Sequence, residues 1–136
     1  MVKANFHTHS TFCDGKDSPE EIARFAVLQG FTHLGFSGHM DPDIHMDFPA
    51  YLSEINRLKS VFCECDILAG VELDLLYDAS SAEGAEYVIG STHFLDVPSE
   101  VPASIDSEPG NIALLCRQFF SGDHYKMAGS YYELES

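Results

Sequence analysis

Basic residues are scarce in this chain of 136 residues, which carries seven Lys and Arg against 22 Asp and Glu and has a formal net charge of −15. Such a charge argues against electrostatic binding to nucleic-acid phosphates or to an anionic membrane. Apolar runs are broken within about ten residues, short of the roughly 20 that span a bilayer. The first residues also lack the apolar core of a signal peptide. We therefore predict a cytoplasmic chain that binds neither nucleic acid nor membrane.

Cysteine pairs with metal-site spacing are missing as well. The four cysteines, Cys13, Cys63, Cys65 and Cys116, form no Cys-x-x-Cys motif. Reduced thiols are expected, because cytosolic disulfides are rare. Hydrophobic residues make up 45% of the chain and aromatic residues 12%, which is enough for a buried core and excludes a disordered tail. We predict one domain that covers residues 1–136.

Four short apolar runs predict strands, and each leads into a side chain that can bind a metal. The runs cover residues 4–6, 34–38, 67–71 and 87–92. Continuous apolar runs are typical of parallel strands that are buried on both faces. The polar residues that follow them are His7 and His9 after the first, His39 after the second, Glu72 after the third and His93 after the fourth.

Helical patterns lie between or after these runs. Ser18 and Glu21 form a capping box, Ile22, Phe25 and Ala26 form an apolar stripe, and Gly30 predicts the end of the helix. Further helices are predicted over residues 49–62, over residues 111–120 and from Asp123 onwards. The last carries Tyr125, Ala128, Tyr132 and Leu134, and its pattern does not define an inward face. The acidic segment 96–109 is the longest predicted loop. The alternation of strands and helices indicates an α/β fold with right-handed crossovers.

Parallel strands would bring the polar side chains to one edge of the sheet. Consecutive members of the series His9, His39, Glu72 and His93 are 21 to 33 residues apart, about one βα unit each. The two histidines of His7-Thr8-His9 leave the same face of a strand, although this motif alone is weak. Glu72 has no cationic neighbour in sequence, so its burial would be costly without a metal ion. The joint pattern predicts a divalent metal site.

Other polar residues have less distinctive positions. Asp14 is as consistent with an Asp-Gly turn as with a ligand, and Cys13 beside it is given no role. His45 is predicted to be a solvated loop residue, and His33 and His124 to be structural. Asp74 shares a strand face with Glu72, which favours a capping or supporting role over a ligand role.

The motifs His-Thr-His-Ser-Thr-Phe-Cys-Asp-Gly, Gly-Phe-Ser-Gly-His, Gly-Val-Glu-Leu-Asp and Ile-Gly-Ser-Thr-His-Phe-Leu follow one another over most of the chain. In order and spacing they resemble the polymerase-and-histidinol-phosphatase (PHP) superfamily, and most closely its histidinol-phosphate phosphatases. The resemblance implies a distorted (β/α)7 TIM-like barrel with two or three divalent ions, commonly zinc, iron or manganese. It implies hydrolysis of a phosphomonoester, L-histidinol phosphate in histidine biosynthesis, by water that the ions activate.

The resemblance also implies a distribution of ligands. His7 and His9 would bind a first ion, which Glu72 would bridge to an ion that His93 also holds, while Asp14 and His39 would hold a further one. No side chain is assigned as a catalytic acid or base.

The chain departs from the family pattern after His93, where a later strand histidine and an Asp-x-His motif have no counterpart. It therefore resembles the N-terminal portion of the barrel, about four βα units, with an open strand edge that favours self-association unless the C-terminal helices cover it. Two alternatives to the phosphomonoesterase stay open. One is another PHP-type phosphoesterase, a phosphodiesterase or an exonuclease module, for which a basic groove is expected. The other is a catalytically silent metal-binding fragment.

Overall fold

A parallel four-stranded sheet forms the centre of the molecule in the computed structural model, which describes residues 1–100 and 102–136. Strands β1 (Ala4–Asn5), β2 (His33–Met40), β3 (Asp66–Asp74) and β4 (Tyr87–Ser91) lie side by side in chain order. Every neighbouring pair is parallel. The predicted α/β class is confirmed, and the sheet corresponds to the open first part of a βα-barrel.

Two helices connect the first three strands. Helix α1 (Pro19–Leu28) begins with the predicted capping box of Ser18 and Glu21, and Gly30 follows its end with a positive φ of 75°. Helix α2 (Phe48–Val61) has Asp47 as its N-cap, and its first residue comes one position before the predicted start. The connection from β3 to β4, residues 75–86, contains a 3-10 helix, Ala79–Ala82, and no α-helix.

The main core lies between these helices and the sheet. Tyr51, Ile55 and Leu58 of α2 are completely buried, and burial of such side chains contributes roughly 1.5–3 kcal/mol each. They belong to one cluster with Phe36 of β2 and Ile67 of β3. The predicted apolar stripe of α1 is wrong in one place, because Phe25 is 63% exposed while Ala23 takes the inward position.

Tyr87 ties the edge strand β4 to the far side of the sheet. Its ring passes over Gly70 and Gly35, where an added Cβ would come within 2.2–2.3 Å of Tyr87 atoms. Its hydroxyl lies 2.7 Å from the carbonyl oxygen of Phe6 and 2.8 Å from that of Phe36. Burial, together with the charge of Glu86, raises the pKa of Tyr87 to about 12. Glycine at these two positions therefore permits a cross-sheet contact that no side chain would allow.

The C-terminal part forms a smaller cluster of its own. Strands β5 (Phe94–Leu95) and β6 (Ala103–Ser104) pair antiparallel, and helices α3 (Pro109–Phe120) and α4 (His124–Leu134) follow them. The prediction of a continuous loop over 96–109 is therefore wrong, since β6 lies within it; Val101 of this segment is outside the described residues. The N-cap Asp123 is confirmed.

The structure defines the inward face of α4, which the sequence pattern left open. Tyr125, Ala128 and Tyr132 are exposed, whereas Met127, Tyr131 and Leu134 pack on the C-terminal cluster with Leu95 and Phe120. Among the described helices, none combines the length and the apolar character that a membrane span requires.

Both edge strands of the sheet are partly open to solvent. The two residues of β1 are exposed, the residues of β4 alternate between half-buried and exposed, and Val88 is 50% exposed. The prediction that the strands are buried on both faces thus holds for most of β2 and β3 but not for β1 or β4. These two strands are the first and the last in the order of the sheet, each with a parallel partner on one side alone.

Candidate metal centre

All six side chains predicted as metal ligands come together at the carboxyl edge of the sheet. The Glu72 carboxylate lies at their centre, with its side chain 7% exposed. Its Oε2 atom is 2.9 Å from Nε2 of His7 and 3.2 Å from Nε2 of His9. Its Oε1 atom is 3.3 Å from Nε2 of His93, and Nδ1 of His39 is 3.8 Å from Oε2. Four imidazoles thus surround one buried carboxylate.

The segment after β1 is held against β2 through Thr8. The amide of Thr8 donates to Oγ of Ser37 at 3.0 Å, and the amide of Ser37 donates to the carbonyl oxygen of Thr8 at 2.9 Å. Ser37 is completely buried, so these bonds are protected from water. This anchor places His7 and His9, the two neighbours of Thr8, beside each other with ring centroids 5.0 Å apart.

A tight turn brings Asp14 to the histidines at the carboxyl edge of the sheet. The amides of Cys13 and Gly15 both donate to the carbonyl oxygen of Ser10, and a Cβ at Gly15 would lie 2.4 Å from the Ser10 nitrogen. Asp14 thereby reaches 3.4 Å from Nδ1 of His9 and 3.6 Å from Nε2 of His39. The Asp-Gly turn and the position beside the histidines are therefore both present.

The pKa of the Asp14 carboxyl group is changed by these neighbours. Partial burial raises its pKa, but a hydrogen bond with Cys13 and the positive charges that His39 and His9 can carry outweigh this effect and hold the pKa below its ordinary value. Cys13 also lies with Sγ 3.7 Å from Nδ1 of His9. The sequence reading gave Cys13 no role, whereas the structure places it in contact with the site.

Asp41 belongs to the site and was missed by the sequence analysis. It follows β2, it is 3% exposed, and its Oδ2 atom lies 3.2 Å from Nδ1 of His39. A signal for it exists in the sequence, because His39-Met-Asp41 and Glu72-Leu-Asp74 share the same spacing. His39 and Glu72 are register partners on neighbouring strands, so the two aspartates follow at equivalent positions.

The carboxylate of Asp74 contacts both the backbone amide and the ring of His93. The carboxylate is completely buried, and it accepts hydrogen bonds from the amides of Leu76 at 2.9 Å and of His93 at 2.6 Å. Its Oδ2 atom also lies 3.5 Å from Nδ1 of His93. These contacts agree with the capping and supporting role predicted for this residue.

The remaining histidines lie away from this centre. His33 starts β2 at the opposite end of the sheet, where it contacts Asp66 at 3.5 Å. His45 is exposed in the loop before α2, and His124 is the exposed first residue of α4. Neither belongs to a described group of converging ligand atoms.

The donor set fits divalent metal ions. Within the described residues, three groups of ligand atoms converge to within 4.8 Å: His7, His9 and Glu72; His9, Asp14 and His39; and His39, Asp41 and His93. No Lys or Arg in the described part of the chain forms an ion pair with the carboxylates of these groups. Buried carboxylates without a cationic partner are costly, and imidazole with carboxylate ligands suits zinc, iron or manganese.

The cleft beside these groups is acidic. It measures about 210 Å³ and is lined by Asp14, His39, Asp41, Asp43, Ile44, His93, Phe94, Ser104 and Asp106. A larger cleft of about 510 Å³ lies at the opposite end of the sheet, with His33, Lys59, Cys63 and Cys65 in its wall. Since the described residues there form no group of converging ligand atoms, the chemistry is assigned to the smaller cleft.

Comparisons with known proteins show what the chain is similar to. A family model described as "PHP domain" matches residues 5–130. The chain is also 28% identical over 108 residues to the DNA polymerase/3'-5' exonuclease PolX of Bacillus subtilis (strain 168), an alignment that covers 68% of this chain and 18% of that protein. The chain thus spans less than a fifth of the length of that relative.

Proposed function

Because the chain belongs to the PHP domain family, for which a metal-dependent phosphoesterase function is expected, we propose that it hydrolyses a small phosphomonoester. The observation that carries the proposal is the convergence of four imidazoles on the buried carboxylate of Glu72 at the carboxyl edge of a parallel sheet. Active sites of parallel α/β folds lie at this edge.

The protein side chains would hold the divalent cations, and the cations would supply the chemistry. When bound, divalent cations supply Lewis acidity toward a phosphoryl oxygen and lower the pKa of water. His7, His9, Asp14, His39, Glu72 and His93 would hold these cations. The carboxylates of Asp14 and Glu72 repel a phosphate dianion on their own, so attraction of the substrate depends on the cations. The chain's net charge of −15 acts in the same direction.

The acidic cleft supports a substrate that carries a cationic group near its phosphate. Asp43 and Asp106 contribute exposed carboxylates to the wall of the cleft, and its volume of about 210 Å³ suits a small metabolite. An ammonium group there would be stabilised by the carboxylates while the phosphate faces the cations. L-Histidinol phosphate, which has a primary amine close to its phosphate ester, is therefore the first substrate to test.

A second candidate is hydrolysis of a phosphodiester, which the likeness to a protein named as a polymerase and exonuclease favours. The composition weighs against it, because a nucleic-acid substrate calls for a basic surface and the chain has only seven Lys and Arg. The proposed partner is therefore a small phosphorylated metabolite.

Phosphate release separates these functions. The purified chain, loaded in turn with Zn²⁺, Fe²⁺ or Mn²⁺, is given L-histidinol phosphate, a neutral alkyl phosphate and a short single-stranded oligonucleotide. We expect turnover of histidinol phosphate that is lost in His9→Ala and retained in His124→Ala, a matched histidine substitution away from the site. Hydrolysis of the oligonucleotide alone would favour the second candidate. Stoichiometric metal binding without turnover of any substrate would identify a catalytically silent fragment.

A further inference from the structure

We propose that Asp41 is a positioning residue that accepts the Nδ1–H of His39 and so keeps the unprotonated Nε2 of that ring directed at the metal centre. The inference rests on the metal binding of the proposed function, but it does not depend on which substrate is used. Asp41 is not among the ligands that the family resemblance supplies.

The two nitrogens of His39 face different surroundings. Nε2 lies 3.6 Å from Oδ2 of Asp14, and the ring centroid is 4.4 Å from that of His9. Nδ1 points toward Oδ2 of Asp41 at 3.2 Å, with Glu72 farther away at 3.8 Å. A neutral imidazole has one N–H and one unprotonated nitrogen, so a proton on Nδ1 leaves Nε2 free to bind a cation.

Burial makes the choice of tautomer consequential. Nδ1 of His39 is shielded from bulk solvent and has no aligned hydrogen bond in this structure. Asp41 has the nearest described carboxylate oxygen, and hydrogen bonds of catalytic groups are often poorly aligned before substrate and cofactor are bound. Protonation at Nδ1 would pair this nitrogen with an anion, whereas protonation at Nε2 would leave two acceptors facing each other.

The carboxylate of Asp41 is itself held in place. Its Oδ1 atom accepts hydrogen bonds from the amides of Asp43 and Ile44, both at 2.8 Å. This turn occupies one oxygen and leaves Oδ2 to face His39. The arrangement matches the carboxylate–histidine–metal pattern, in which a buried carboxylate orients a ligand imidazole.

A second pair in the same site has the same form. Nδ1 of His93 is buried without an aligned hydrogen bond and lies 3.5 Å from Oδ2 of the fully buried Asp74. Nε2 of His93 points the other way, toward Oε1 of Glu72 at 3.3 Å. Two histidines on different segments therefore both direct Nδ1 at a buried aspartate and Nε2 at the proposed ligands.

The test compares Asp41→Asn with Asp43→Asn, a substitution of the exposed aspartate in the same turn. Asparagine keeps an oxygen for the two backbone amides but presents an NH₂ group to His39, which favours the tautomer with the proton on Nε2. We expect the ¹⁵N shifts of the His39 ring in the metal-free chain to show an Nδ1–H tautomer in the parent and in Asp43→Asn, and an Nε2–H tautomer in Asp41→Asn. Mn²⁺ affinity, measured by calorimetry, should fall about 10–100-fold in Asp41→Asn alone.

An unchanged His39 tautomer in Asp41→Asn would overturn the proposal, whatever happens to the thermal stability of the variant. If that variant also loses one bound ion, Asp41 is instead a ligand in the group with His39 and His93. If Asp41→Asn does not fold, the parent spectrum decides, because an Nε2–H tautomer of His39 there also refutes the proposal. A parent chain that binds no Mn²⁺ but has the Nδ1–H tautomer refutes the proposed function and leaves the Asp41 contact supported.

Discussion

Replacement of Glu72 by glutamine separates a metal centre from a purely structural cluster, because the two hypotheses predict effects of different size on stability when no metal is present. The Glu72 side chain is 7% exposed and is surrounded by imidazole nitrogens at 2.9, 3.2, 3.3 and 3.8 Å. No Lys or Arg in the described part of the chain pairs with this carboxylate, so without a metal ion the cost of its desolvation is not offset by a fixed positive charge. Such a group destabilises the metal-free chain.

The expected magnitudes follow from these contacts. In EDTA at pH 8, Glu72→Gln should change the free energy of unfolding by no more than about 1 kcal/mol, because the substitution removes a desolvated charge while it disturbs the hydrogen bonds. With Mn²⁺ at 100 times its Kd, the parent should gain about 2.7 kcal/mol. For a chain of this size that gain corresponds to a rise in Tm of roughly 8–13 °C. The variant should lose most of this gain.

The assay is thermal unfolding followed by circular dichroism, in EDTA and in Mn²⁺, with the exposed Glu133→Gln as the matched control. If Glu72 instead served as the partner of protonated histidines in a structural network, its removal would cost about 3–5 kcal/mol in EDTA as well. A large loss of stability in EDTA, with the same Mn²⁺ response in variant and parent, would refute the reasoning.

Three further predictions concern the framework around the site. Tyr87→Phe removes the hydroxyl that bridges the carbonyl oxygens of Phe6 and Phe36, and urea unfolding should show a loss of about 1 kcal/mol; no loss would mean that the bridge is absent in solution. Burial raises the pKa of Glu86, but the contacts of its carboxylate with the Ala69 amide and Lys59 outweigh burial and lower the pKa. The stability that Glu86 contributes is therefore present above its unfolded pKa and is lost as the pH falls through its folded pKa. Glu86→Gln should lower the urea midpoint at pH 7 more than at pH 3.5, and an equal effect at both pH values would contradict this. The open edge at β4, with Val88 half exposed, predicts concentration-dependent self-association in sedimentation velocity; a monomer at all concentrations would refute it.

Much of the sheet and of the ligand set follows from local sequence signals. The apolar runs before His39, Glu72 and His93 predicted three strands whose tips meet, because parallel strands in chain order bring their carboxyl ends to one edge. The capping box at Ser18 likewise fixed the start of α1. These features depend on a few neighbouring residues, which a single sequence displays directly.

The errors arise where burial depends on distant parts of the chain. Phe25 continues the helical period of α1, yet it is exposed, because the core between α1 and the sheet is filled by Ala23 and Ala26. The face of α4 could not be chosen from its own pattern, since Met127 and Tyr131 face inward only through contact with the C-terminal cluster. Asp41 was overlooked because its role depends on where His39 points, which periodicity does not specify.

The most direct test of the account is an anomalous difference map from crystals of the chain soaked in Mn²⁺ and measured at a wavelength where manganese scatters anomalously. The account predicts peaks among the side chains of His7, His9 and Glu72 and beside His39, within about 2.0–2.4 Å of their nitrogen and oxygen atoms. A map with no peak at the carboxyl edge of the sheet, or with Mn²⁺ bound only elsewhere on the acidic surface, would contradict the assignment of a metal centre.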